Sequence, residues 1–210
     1  VPDVQRKAAT PAVAPVNLAK LEALIRTRVC TILDDLPVGE TFDWVDRVLI
    51  ELTTQMLATL FDFPWEDRRM LPRWSDVATS RPESSGTDAA FITEEGRKKE
   101  LLECIDYFKT LWASRGENYQ GTDFISLLAT NPDTKDLTKD PLELLGNLIL
   151  LIVGGNDTTL NSLSGGVLAL TPFPQEYDQP SPNPELLPNK VPALLRSVSP
   201  PRPRRLPAPP

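Results

Sequence analysis

Residues 144–159, LLGNLILLIVGGNDTT, constrain the fold more than any other stretch of this 210-residue chain. An apolar run over 144–153, interrupted only by Gly146 and Asn147, loses its side chains at Gly154 and Gly155 and then presents Asp157, Thr158 and Thr159. The run is too short to cross a bilayer, which takes roughly 20 apolar residues, and it predicts a core helix buried nearly all round. Its start is marked by Asp140 as N-cap, by Pro141 in the first turn, where a missing N–H is no loss, and by Glu143 at the capping-box position.

Each glycine inside a helix costs about 1 kcal/mol relative to alanine, so two in succession ask for a compensating reason. One reading is that a flat or small ligand approaches bare backbone there. Thr158 lies four residues after Gly154 and so on the same face, where its hydroxyl reaches back to the glycine carbonyl and loosens the ladder enough to admit a water or dioxygen. Asp157 stands beside it, placed to relay protons from solvent. The other reading ends one helix at the glycines and caps a second with Asp157. The residues alone leave both open. Asn156, Asp157 and Thr158 also match a glycosylation acceptor, which a position beside a buried helix argues against.

The rest of the ordered chain reads as helical. Leu18, Leu21, Leu24, Ile25, Ile32, Leu33 and Leu36 recur at helical spacing behind Asn17, a good N-cap, and stop before Pro37. A second helix follows Asp43, with Val45, Val48, Leu49, Leu52, Met56, Leu57 and Leu60 on one broad face. Pro64 opens a third, kinked or shortened by Pro72. Residues 79–88, polar with Pro and Gly, predict a surface loop. Thr93 caps an amphipathic helix with an apolar stripe of Leu101, Leu102, Ile105, Phe108, Leu111 and Trp112, and residues 124–129 predict one more short helix. No sustained period-two alternation occurs, so the expected class is all-α. Thirteen of the 22 prolines fall within 172–210, which argues against a continued helical domain there. The expected division is a helical domain over 1–170 and a proline-rich irregular, disordered continuation over 171–210.

Composition serves mainly to exclude. The absence of histidine removes Ser-His-Asp and Cys-His catalysis and most zinc sites together. A net charge of −7 argues against a generic nucleic-acid binder. Cys30 and Cys104 lie in helical patterns without metal or CxxC spacing and read as buried small hydrophobes. No metal-ligating set is expected, no secretory signal precedes the first helix, and the chain reads as an internal piece of a soluble protein.

The run Gly154, Gly155, Asn156, Asp157, Thr158, Thr159 resembles the central-helix motif of the cytochrome P-450 monooxygenases: a small residue, glycine, any residue, an acid, then threonine. The flanking segments PVGETFDWVDR (37–47), ELTTQMLATLFDFP (51–64) and LNSLSGGVLAL (160–170) resemble most closely the soluble bacterial members that hydroxylate medium-chain alkanes. The resemblance implies a fragment of that fold with a long central helix, a haem b cofactor, and Asp157 and Thr158 as the catalytic pair that delivers protons. It implies that Gly154 and Gly155 lie against the haem, and that Leu151 faces an apolar small-molecule substrate. It further implies electrons from NADH through a ferredoxin reductase and a ferredoxin, and a cytoplasmic protein without a membrane span. The loop over 79–88 matches part of the family's mobile lid over the substrate channel, so Leu71, Trp74 and Val77 either face substrate or pack as ordinary core.

Departures from the family cluster at both ends. Arg6 matches an arginine that binds a haem propionate, while Pro2 stands in place of its histidine neighbour. Arg205, in the run Arg202, Pro203, Arg204, Arg205, is the best match for a second propionate arginine. The family's glutamate–arginine brace is reduced to Arg196, with Ala193 at the glutamate position, so that region is expected to open to solvent. The haem-ligating cysteine loop is not found in these residues, and the isolated chain is therefore expected to be inactive, as from a partial gene product. The alternative from another class is a non-catalytic helical ligand-binding or interaction module. In it the paired glycines serve helix packing and the proline- and arginine-rich tail binds a partner.

Overall fold

The computed structural model describes residues 2–80, 93–115, 121–173, 175 and 184–198. These are helical with no strand among them, and the chain divides into two compact units, Val1–Asp157 and Thr158–Pro210.

The first unit begins with α1 (Pro2–Ala9), a short 3-10 turn (Thr10–Val13) and α2 (Pro15–Asp34). Pro15 occupies the first helical position, so α2 starts two residues before Asn17, whose amide instead donates to the Pro11 carbonyl at 2.6 Å. The helix stops before Pro37 as expected. Asp43 caps the next element through the N–H groups of Val45 and Asp46 at 2.8 and 3.1 Å. That element is a π-helical segment (Val45–Ile50) running into α3 (Glu51–Phe61), a widening of the turn that hydrophobic spacing does not signal. Asp62 ends α3 in the left-handed region (φ 46°), held there by Arg115, which donates to its carbonyl at 2.6 Å and pairs with its carboxylate at 2.9 Å.

Turns over 64–69 precede α4 (Met70–Thr79), so Pro72 lies in the first turn and bends nothing. Thr93 caps α5 (Glu94–Arg115) through the Gly96 N–H at 3.0 Å, and Asp123 caps α6 (Phe124–Thr130) through the Ser126 N–H at 2.9 Å. Leu102, assigned to the apolar stripe of α5, is exposed, and Cys104 takes a place in the core instead. Cys30 is exposed, contrary to its reading as a buried hydrophobe. Residues 81–88 of the expected loop lie outside the described residues.

The centre of the unit is aromatic. Phe61 of α3 stands 5.5 Å from Phe108 of α5 and 5.2 Å from Phe124 of α6, while Trp74 of α4 lies 5.8 Å from Phe108. Such tilted pairs contribute about 0.5–1.5 kcal/mol each beyond their buried area. Leu71 and Trp74 are buried in this packing and Val77 is buried beside them in α4, which favours core over substrate contact.

The central helix, α7 (Pro141–Leu170), runs unbroken through Gly154 and Gly155, so the glycines do not end it. Asp140 caps it through the N–H groups of Leu142 and Glu143 at 3.1 and 3.0 Å. The Glu143 carboxylate accepts from Gln5 of α1 at 2.5 Å, a tie between elements in place of the expected capping box. Leu144, Leu148 and Ile152 are 0% exposed, but Leu142 is 79% and Leu150 72% exposed. The expectation of burial nearly all round is thus corrected: one edge, at i, i+4 spacing, is buried, and apolar content alone does not distinguish the two cases.

In the second unit α7 continues to Leu170, and a 3-10 turn (Pro184–Leu186) leads into α8 (Leu187–Val198), with Pro192 inside it. The proline density argued against a helix here. Pro188 falls in the first turn, where no intrahelical N–H is missed, and one interior proline removes a single bond of the ladder. Ala193 and Arg196 are exposed.

Glu51 joins the π segment and α3 to the turns before α4. Burial pushes its carboxyl pKa up, but the Gln55 amide and the guanidinium groups of Arg68 and Arg69 outweigh this and hold it below the ordinary 4.5. A depressed carboxyl stabilises the fold above its unfolded pKa and loses that contribution as pH falls through the folded value. Urea denaturation across a pH series should therefore show Glu51→Gln less stable than the parent at pH 7, with the gap closing below the ordinary pKa of 4.5. A gap independent of pH would assign the effect to shape rather than charge.

Candidate active site

Seating Leu144, Leu148 and Ile152 in the core turns the remaining faces of α7 outward within the first unit. An apolar groove of about 470 Å³ opens beside it, lined by Leu57 and Leu60 of α3, Leu128 of α6, and Leu151, Gly154 and Gly155 of α7. Arg6 and Asp3 of α1 also line it, and their exposed side chains pair at 2.9 Å.

The two glycines differ. A Cβ at Gly154 would meet nothing within 4 Å, so this is bare backbone facing open space. A Cβ at Gly155 would come within 2.7 Å of Leu57 Cδ2, so its missing side chain lets α7 approach α3. The packing reading thus applies to Gly155, while both glycines line the groove.

Asp157, half-buried on the next turn, accepts two hydrogen bonds on Oδ1: from the Ser75 hydroxyl of α4 at 3.1 Å and from Asn156 Nδ2 at 2.9 Å. Asn156 Oδ1 accepts from the Thr53 hydroxyl of α3 at 2.7 Å. Burial, and then the Asp157 charge, push the pKa of the neighbouring Asp76 carboxyl up. Thr158, the first residue of the second unit, is exposed, and its carbonyl accepts from Ser162 Oγ at 2.7 Å. Leu151 and Arg6 line the groove; Arg205 lies outside the described residues. Ser75 and Thr53 were not singled out from sequence, and Asn156 entered only through the motif and the glycosylation pattern. The available signal was polar residues at core positions, Thr53 on the inner face of α3 and Ser75 beside Trp74 in α4, since most such groups are hydrogen-bonded. With Asn156 3% exposed, the glycosylation pattern is inaccessible in the folded chain.

The groove fits one wall of a flat apolar macrocycle: apolar side chains, bare backbone at Gly154, and an arginine at its edge for an acidic substituent. The described residues do not offer it a thiolate. Cys104 is core, with its pKa pushed up to about 12 by burial and then by Glu103, and neither cysteine lines the groove. Among the described residues no group of His, Cys, Asp and Glu side chains suits a metal ion, and no helix is long and apolar enough to cross a membrane.

No protein-family model matches the sequence. It is 30% identical over 198 residues to linalool 8-monooxygenase of Pseudomonas putida, covering 93% of this chain and 47% of that protein. The fold superposes on the cytochrome P450-153 from Novosphingobium aromaticivorans with a TM-score of 0.78 and 42% identity, covering 93% of this chain and 45% of that one. It superposes on CYP153D17 from Sphingomonas sp. PAMC 26605 with a TM-score of 0.75 and 38% identity, covering 91% and 46%. The chain belongs to the cytochrome P450 family. It spans about half the length of the P450 relatives it matches, and its helices form a fragment of the P450 fold.

The glycine assignments predict opposite outcomes for two neighbouring substitutions. Gly154→Ala gains helix propensity, about 1 kcal/mol, without a clash, whereas Gly155→Ala sets that gain against overpacking of about 1–3 kcal/mol at Leu57. Denaturant titration should find Gly154→Ala the more stable of the two. The reverse order would overturn the assignment.

Proposed function

We propose that a protein carrying this chain is a haem-dependent monooxygenase that hydroxylates terminal C–H bonds of medium-chain alkanes or similar apolar chains, using dioxygen. The observation that carries this reading is the apolar groove with Gly154 bare along it, Arg6 at its edge and a hydrogen-bonded carboxylate one turn further along α7. The choice of alkanes rests on the segments over 37–47, 51–64 and 160–170.

Haem b, when bound, supplies the activation of dioxygen and the oxidation of the C–H bond. Arg6 would exchange Asp3 for a propionate in a charge-assisted pair, with Arg205 as a second cation for the same purpose. Leu151 orients the apolar chain and excludes water, which strengthens every polar contact nearby. Asp157 holds and passes a proton at its carboxylate, and the Thr158 hydroxyl receives it. Electrons would come from NADH through a ferredoxin reductase and a ferredoxin, in the cytoplasm. For the chain by itself, the Gly155 contact with Leu57 and the protonated, core-buried Cys104 favour a second reading, a non-catalytic helical module that binds apolar ligands in the groove.

The first reading is tested by replacing the matching segment of the Novosphingobium aromaticivorans relative with residues 1–170 and loading the chimera with haem. With an alkane, NADH and redox partners, the chimera should form the terminal alcohol. Thr158→Ala should lower product per NADH severalfold and release the balance as peroxide. Equal coupling in both proteins would remove Thr158 from the mechanism, and an inactive, haem-loaded chimera would remove the alkane assignment.

A further inference from the structure

The residues around Asp157 form a closed polar set drawn from three helices. Ser75 of α4 is 0% exposed, and Thr53 of α3 and Asn156 of α7 are each 3% exposed. Leaving a buried hydroxyl or amide without its hydrogen bond costs about 1–3 kcal/mol, and all three bond within the set.

The set has one consistent proton order. An ionised carboxylate only accepts, so Asn156 must present Nδ2 to Asp157 and Oδ1 to Thr53. The single Thr53 hydroxyl proton must then go to Asn156 at 2.7 Å rather than to the Leu49 carbonyl at 3.0 Å. Ser75 donates to the same Oδ1 that Asn156 serves. Both donors therefore converge on one oxygen, which fixes the carboxylate plane and leaves these groups off Oδ2. Among the described residues no ion pair reaches Asp157, so neutral donors hold it. Its charge is felt on α4 all the same, in the raised carboxyl of Asp76.

We propose that Ser75, Asn156 and Thr53 are positioning residues that set where the Asp157 carboxylate points. The proposal rests on the reading of Asp157 as the acid that delivers protons. Ser75 acts on it directly, and Thr53 acts only through Asn156. The docking of α3 and α4 against α7 is thereby read out at the acid, because displacing either helix removes a donor from the chain of bonds.

Two measurements test this. Double-mutant cycles by denaturant unfolding of this chain, pairing Ser75→Ala with Asp157→Asn and Thr53→Val with Asn156→Ala, should be non-additive; additive cycles would overturn the proposal. In the haem-loaded chimera, Ser75→Ala, Asn156→Ala and Thr53→Val should each lower kcat roughly tenfold with KM unchanged and raise the solvent deuterium isotope effect. None should have a further effect once Asp157 is Asn. Thr53→Val keeps the side-chain shape, so it decides the matter even where an alanine variant fails to fold. An impaired Asp157→Asn beside parent-like kcat in the other three would overturn the positioning role alone. A parent-like Asp157→Asn would overturn the proton-delivery reading, and the positioning proposal with it.

Discussion

The first unit depends on the seating of one edge of α7. Leu144, Leu148 and Ile152 repeat every four residues, fall on one line of the helix and vanish into the core that contains Phe61, Trp74, Phe108 and Phe124. Burying each contributes about 1.5–3 kcal/mol, and turning the helix by one residue, about 100°, would expose all three together. With that edge fixed, the directions of the others follow. Gly155 meets Leu57, Gly154 faces the groove, and Asn156 continues the buried edge as its one polar member. The groove is thus a consequence of core packing.

A second constraint is electrostatic. Asp157 lies beside another carboxylate, Asp76, and neutral donors hold it where a lysine or arginine would neutralise it. A carboxylate held this way has a defined orientation. A tightly paired one would be committed to its partner.

Much of this was legible from the residues. The helix starts at Asp43, Thr93 and Asp140 rest on side-chain oxygens that accept from nearby N–H groups, a local interaction, and all three form. The family resemblance carried the family and the helical fold. What was not legible is set by partners distant in sequence. Asn17 lost the start of α2 to Pro15, and Pro72 proved harmless because the turns before it delay α4. The apolar run over 144–153 could not say which of its residues face the core, because leucine and isoleucine occupy both edges. The Thr53, Asn156, Asp157 and Ser75 set joins positions 82 and 103 residues apart and has no local signature at all.

The central claim is that the Gly154 edge of α7 is the wall of a haem pocket while the opposite edge holds the fold. Gly154→Phe separates the two most directly, with haem stoichiometry of the chimera and unfolding of the unmodified-length chain measured side by side. The account predicts that haem per protein falls severalfold while the unfolding midpoint of the chain stays at or above the parent value. Full haem content with phenylalanine at 154 would contradict it, since a ring there would occupy the space assigned to the macrocycle.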